Sequence, residues 1–128
     1  MSKEDVLNAL YSGNYKQAHG ALRDGDSFCA LGVICDAYIK KHGGSWEWEC
    51  GKWVCSVDGG GWPASPYQMP APVAEWAFGD MGKAGSPRLK LPSGRARATI
   101  SELNDRGYSL AEIALILESE ENNWLWSE

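Results

Sequence analysis

From Trp46 to Val57 apolar and polar positions alternate, the period of a half-buried strand. Folding this run at Gly51-Lys52 makes a hairpin with glycine first in a two-residue turn. Cys50 then opposes Trp53, Trp48 opposes Cys55, and Trp46 opposes Val57. One face carries Trp46, Trp48, Cys50, Trp53, Cys55 and Val57; the other carries Glu47, Glu49, Val54 and Ser56. Indoles gathered on one face must cover either the protein's own core or a flat ligand.

A second pattern runs from Phe28 to Ile39. It is apolar almost all round, which marks a buried central helix over 28–42. Asp26 or Ser27 can cap it and Gly43-Gly44 can end it. Gly32 in its middle costs roughly 1 kcal/mol against alanine, so a neighbouring element should approach closely there. Asp36, the acid within this run, should lie at the helix edge or be hydrogen-bonded.

Shorter stripes flank these two. Ser2 and Asp5 resemble a capping box ahead of Val6, Leu7 and Leu10. Tyr15 to Asp26 reads as irregular, with Tyr15, Ala18 and Leu22 inward. Prolines at 70 and 72 suit the start of a helix running to Phe78. Arg88 to Leu91 suits a short edge strand. Arg95 to Asn104 reads as a helix, and Ser109 to Glu112 is a capping box for the helix that follows. The tail from Asn122 to Trp126 packs back or mediates association with a second copy. Residues 1–128 thus read as one α+β domain: four or five short helices around a buried central helix, with a β-hairpin on one side.

Composition sharpens this picture. The 128 residues are 44% hydrophobic and 23% charged, ordinary for a globular protein, but they include seven tryptophans. The net charge of −5 argues against general nucleic-acid binding. Charge is uneven: Lys83, Arg88, Lys90, Arg95 and Arg97 occur between Met81 and Ser101 without an acid, a segment suited to a small anion. No apolar run approaches the roughly 18 residues of a membrane span. The first residues lack the apolar core of a signal peptide. A cytoplasmic protein with reduced cysteines is expected.

Candidate chemistry is sparse. The cysteines lack zinc-site spacing, so no metal is expected. Cys29 near a helix start could be an activated thiol, with His19 as its base, but its flanks are hydrophobic. Ile100 to Leu117 resembles the first half of a helix-turn-helix, yet no basic recognition helix follows. No cofactor motif is present. The aromatics offer more. Trp46, Trp48 and Trp53, with Trp62 and Tyr67 in the following Gly- and Pro-rich loop, can form a stacking platform. Arg88, Arg95 and Arg97 can supply phosphate contacts, and Asn104 and Asp105 polar ones. Together they describe a nucleotide pocket.

Four segments, taken in order, resemble a family of small tailed-phage proteins: Leu10 to Gln17, Phe28 to Asp36, Pro70 to Trp76 and Leu103 to Ala114. The family pattern is roughly sGxYxQ … fCcLGVlcd … P..V..W … LNDxGxsFxeIA. Ala30 replaces a frequent cysteine and Leu110 a usual phenylalanine; both replacements stay apolar. The resemblance implies an origin more than a mechanism: an accessory protein acting in the cytoplasm of a bacterial host. Joined to the aromatics, it suggests sequestration, without turnover, of a nucleotide-derived signal of antiviral defence. The rivals are an enzyme degrading such a nucleotide and an inhibitor binding a host protein through the acidic tail with Trp124 and Trp126.

Overall fold

Helix α1 (Ser2–Tyr11) packs Val6, Leu7 and Leu10 against the centre of the molecule. The computed structural model describes residues 2–60, 64–79, 88–91 and 97–126. After α1 come three two-residue strands: β1 (Lys16–Gln17), β2 (Arg23–Asp24) and β3 (Ser27–Phe28). They form a sheet in the order β1-β3-β2, so the segment expected to be irregular carries a small sheet. Helix α2 (Ala30–His42) follows, then a hairpin of β4 (Ser45–Glu49) and β5 (Lys52–Ser56), and helix α3 (Ala71–Phe78). A second strand pair, β6 (Arg88–Lys90) and β7 (Arg97–Thr99), leads into α4 (Ile100–Asp105), α5 (Leu110–Glu118) and a 3₁₀ helix (Glu120–Trp126). This is a small α+β domain, as the sequence pattern indicates.

The central helix starts two residues later than expected, because Ser27 and Phe28 pair with β1 and β2. Neither Asp26 nor Ser27 caps it. Cys29 does, its Sγ accepting from the Gly32 N–H at 3.4 Å. Burial pushes this thiol up from its ordinary pKa, the reverse of an activated nucleophile. Gly43, with φ at 95°, ends the helix as anticipated. The close approach at Gly32 is also present: the Leu22 carbonyl lies across the first turn of α2, where it accepts from the Cys29 N–H at 3.1 Å.

The stretch from Arg95 to Asn104 is not one helix. Residues 97–99 pair with β6, and α4 begins only at Ile100, capped by a reciprocal Thr99–Glu102 box. Arg97 and Thr99 thus belong to a strand, with Ala98 between them buried. The Ser109–Glu112 box is formed as expected. The tail packs back: Leu125 is buried, and the Trp126 indole donates to the Leu117 carbonyl at 3.0 Å and meets Phe78 at 5.6 Å.

Asp36 anchors the hairpin to α2. Its carboxylate accepts from the Tyr15 hydroxyl at 2.7 Å, the Trp46 indole at 3.0 Å and Lys40 at 3.1 Å. Burial pushes its pKa up, but these three donors outweigh burial and hold it below the ordinary 3.8. Because the folded value is the lower one, the stabilisation is complete above the ordinary carboxylate value and is lost as pH falls through the folded value. Acid unfolding of the wild type should therefore steepen below about pH 4. Asp36→Asn should flatten that limb and lower stability at pH 7 by about 1–3 kcal/mol. Urea titrations across pH 3–7 measure both effects.

Candidate functional site

The hairpin turn is Cys50-Gly51, not Gly51-Lys52. Both residues have positive φ, 50° and 81°, the signature of a turn that matches strand twist. Trp48 therefore opposes Trp53, Trp46 opposes Cys55, and Glu49 opposes Lys52. The register differs by two residues from the expected one, so side chains keep their faces. Trp46, Trp48, Trp53 and Cys55 still share one side; Cys50 moves into the turn and Val57 lies beyond the strand.

Along this face exposure rises from base to tip. Cys55 is buried beside Cys35 of α2, whose thiol burial pushes well above its ordinary pKa. Trp46 is half-buried, fixed by Asp36 and packed on Phe28 at 5.6 Å. Trp53 is also half-buried, and its ring is covered by Arg23, whose guanidinium carbon sits 4.2 Å from the ring centroid. The same guanidinium lies 5.2 Å from Phe28 and 5.7 Å from Trp46, and its Nε donates to the Gly25 carbonyl at 2.8 Å. A cation so placed stiffens the indole it covers, at roughly 0.5–1 kcal/mol for an exposed pair. Trp48 meets Trp53 edge-on at 5.4 Å, and 62% of its surface is open to solvent.

These rings border a depression of about 330 Å³, lined also by His19, Asp24 and Lys52. On the far side of Gly20 and Ala21 lies a smaller one of about 130 Å³, bordered by Cys29, Tyr67, Ser101 and Asp105. Tyr67 is exposed, and the Lys52 ammonium stands 6.0 Å from its ring, so Lys52 spans the gap between the two depressions. The ridge between them is pinned from two sides. Leu22 donates its N–H to the Pro66 carbonyl at 2.9 Å, and Gly20 donates to Asp105 Oδ1 at 3.0 Å. A flat, anionic molecule could lie against the open Trp48 ring with its charge toward Lys52 and Arg23.

The residues expected to form a site are thus partly brought together. Trp48, Trp53, Tyr67, Asn104 and Asp105 border the two adjoining depressions. Trp46 has its indole N–H committed to Asp36. Asn104 is buried, and its amide is fully engaged in the fold: Oδ1 accepts from Gln17 at 2.8 Å and from the Ala30 N–H at 3.1 Å, while Nδ2 donates to the Ala18 carbonyl at 2.7 Å. Arg88 and Arg97 line a different surface with Lys90 and Glu121. Trp62 and Arg95 fall outside the described residues. The cations beside the indoles are instead Arg23 and Lys52, which sequence reasoning missed. Gly25 was the available signal: it turns β2 into β3 and so swings Arg23 onto the hairpin. Among the described residues, no three His, Cys, Asp or Glu gather as a metal site. No helix of the described residues is long and apolar enough to cross a membrane.

The motif residues behind the phage-family resemblance turn out to knit the fold. Tyr15 bonds Asp36, Gln17 bonds Asn104 and the Tyr108 carbonyl, and Asp105 holds Gly20. A family model described as Domain of unknown function (DUF8296) matches residues 1–121. No curated protein and no solved structure matches the chain.

Proposed function

We propose that this chain, which belongs to the DUF8296 family, binds a small nucleotide-derived anion at the hairpin and holds it without turnover. The observation that carries this reading is the open Trp48 ring, edge-on to Trp53, beside Arg23 and Lys52. With 62% of its surface open at the rim of the depression, the Trp48 indole offers a face on which a flat partner can stack. The pinned ridge of residues 19–24 supports tight holding, since a preorganised site loses little freedom on binding. The phage origin rests on the motif resemblance. On that reading the ligand is a host signal of antiviral defence and the protein acts in the bacterial cytoplasm as a sequestering agent.

Two observations weigh against the rivals. A degradative thiol enzyme would need an activated Cys29, whereas this sulfur is buried, caps α2 and has a raised pKa. A host-protein inhibitor using Trp126 would need that indole free, whereas it is bonded to Leu117.

Small molecules released by denaturing protein purified from bacteria, read by mass spectrometry, identify the ligand class. Calorimetric titration with a panel of nucleoside diphosphates and cyclic oligonucleotides then measures affinity. Trp48→Ala should weaken binding by about 1–3 kcal/mol, the contribution of one base–aromatic stack, and lower the thermal midpoint by only a few degrees through loss of the edge-on contact with Trp53. Equal affinity in wild type and Trp48→Ala would remove the hairpin from the site.

A further inference from the structure

The β6–β7 pair carries an arrangement that the hairpin site does not use. Leu89 and Ala98, opposite each other, point inward and are fully buried. By strand alternation, Arg88, Lys90, Arg97 and Thr99 share the outer face. Lys90 lies directly opposite Arg97. The Lys90 N–H donates to Asn122 Oδ1 at 2.8 Å and its carbonyl accepts from Asn122 Nδ2 at 2.9 Å. Both backbone groups of Lys90 therefore turn away from β7, which makes Lys90–Arg97 a non-hydrogen-bonded pair. Such pairs bring their Cα atoms to roughly 4.5 Å, the closest spacing in an antiparallel ladder. Like charges directly opposite one another are destabilising. Among the described residues neither side chain makes an ion pair, and Glu121 is the acid that lines the surface with them. Arg88 adds a third positive charge, whose field also reaches Glu102.

We propose that this outer face is a second anion site, separate from the hairpin, that takes a phosphate-bearing molecule bridging Lys90 and Arg97 with Arg88 beside it. A dianion set between the two cations turns their repulsion into attraction, and the guanidinium can grip a phosphate through two parallel donors. The site rests on the strand register and not on the hairpin reading, so either can fail alone.

Titration of the full-length protein with inorganic pyrophosphate at low ionic strength, followed by amide NMR, tests it. Saturable shifts should centre on residues 88–90 and 97–99, and binding should weaken steeply with added salt. Arg97→Gln should reduce affinity at least tenfold, whereas Trp48→Ala should leave it unchanged. Pyrophosphate should raise the thermal midpoint of the wild type and not of Arg97→Gln. Without ligand, Arg97→Gln should melt no lower than wild type, because a repulsive pair has been relieved. A parallel arm uses vesicles containing phosphatidic acid. Binding to both probes assigns a lipid headgroup, and binding to pyrophosphate alone assigns a soluble phosphate; each supports the site. Absence of saturable shifts, equal affinity in Arg97→Gln, loss of binding in Trp48→Ala, or preference for a polyglutamate peptide over pyrophosphate would overturn it.

Discussion

Replacing Gly32 with alanine should cost about 3 kcal/mol or more of folding stability, at the upper end of overpacking effects. A Cβ at this position would lie 1.8 Å from the Leu22 carbonyl oxygen and 2.8 Å from its carbon. The obstacle is backbone, so no side-chain rotation relieves it. Nor can Leu22 retreat freely, because its carbonyl bonds the Cys29 N–H and its N–H bonds the Pro66 carbonyl. The roughly 1 kcal/mol that alanine gains over glycine in a helix is too small to compensate. A domain of this size is stable by only about 5–15 kcal/mol in total. Urea denaturation should therefore show a large drop in midpoint. Under the proposed function, whatever folded protein remains should bind ligand poorly, since residues 20–22, which the substitution would displace, form the ridge beside the proposed hairpin site.

Asn104→Ala should be nearly as damaging, at about 3 kcal/mol. The wild-type amide satisfies the Ala30 N–H at the start of α2 and the Ala18 carbonyl after β1, and it holds Gln17. Alanine orphans two backbone groups in a place that is 1% exposed, and each costs roughly 1–3 kcal/mol. Gln17 suffers less, because it also donates to the Tyr108 carbonyl at 2.7 Å. Asn104→Asp is the informative control. It keeps the acceptor for Ala30 but sets a carboxylate against the Ala18 carbonyl, so it should be destabilised as well. Hydrogen exchange at Ala30 separates the two: protection should fall with Asn104→Ala beyond the global loss and persist relative to it with Asn104→Asp.

Local signals in the sequence account for much of this molecule. The alternation from Trp46 to Val57 identified the hairpin and which residues share its indole face. The all-apolar run at 28–39 marked the buried helix, and Gly32 within it marked a close contact. The Ser109–Glu112 box fixed the start of α5. Where the reading failed, long-range pairing decided the outcome. Cys50 adopts positive φ, a conformation the turn rules assign to glycine or asparagine, so the register was displaced. Ser27 and Phe28 join a sheet whose other strands are two residues long, too short to show a period. Residues 97–99 look helical by spacing yet pair with β6. That same pairing sets Arg97 beside β6, which packs on α5 and the terminal 3₁₀ helix and not on the hairpin. Sequence proximity of the basic segment to the aromatic loop thus said nothing about their separation in space. Asn104 and Asp105 carry the ordinary polar character of a helix end, and only the tertiary structure shows the first as a buried hub and the second as a surface clasp.

The side chain of Asn122 does for β6 what a neighbouring strand would do. It is wholly buried, and its amide also reaches the Ile116 carbonyl at 2.9 Å and Ser119 at 3.0 Å. A two-stranded ribbon normally offers an unpaired edge as a template for a foreign chain. Here the amide acts as a one-residue plug that shields Lys90 from intermolecular recruitment, a guard against aggregation achieved by a single carboxamide.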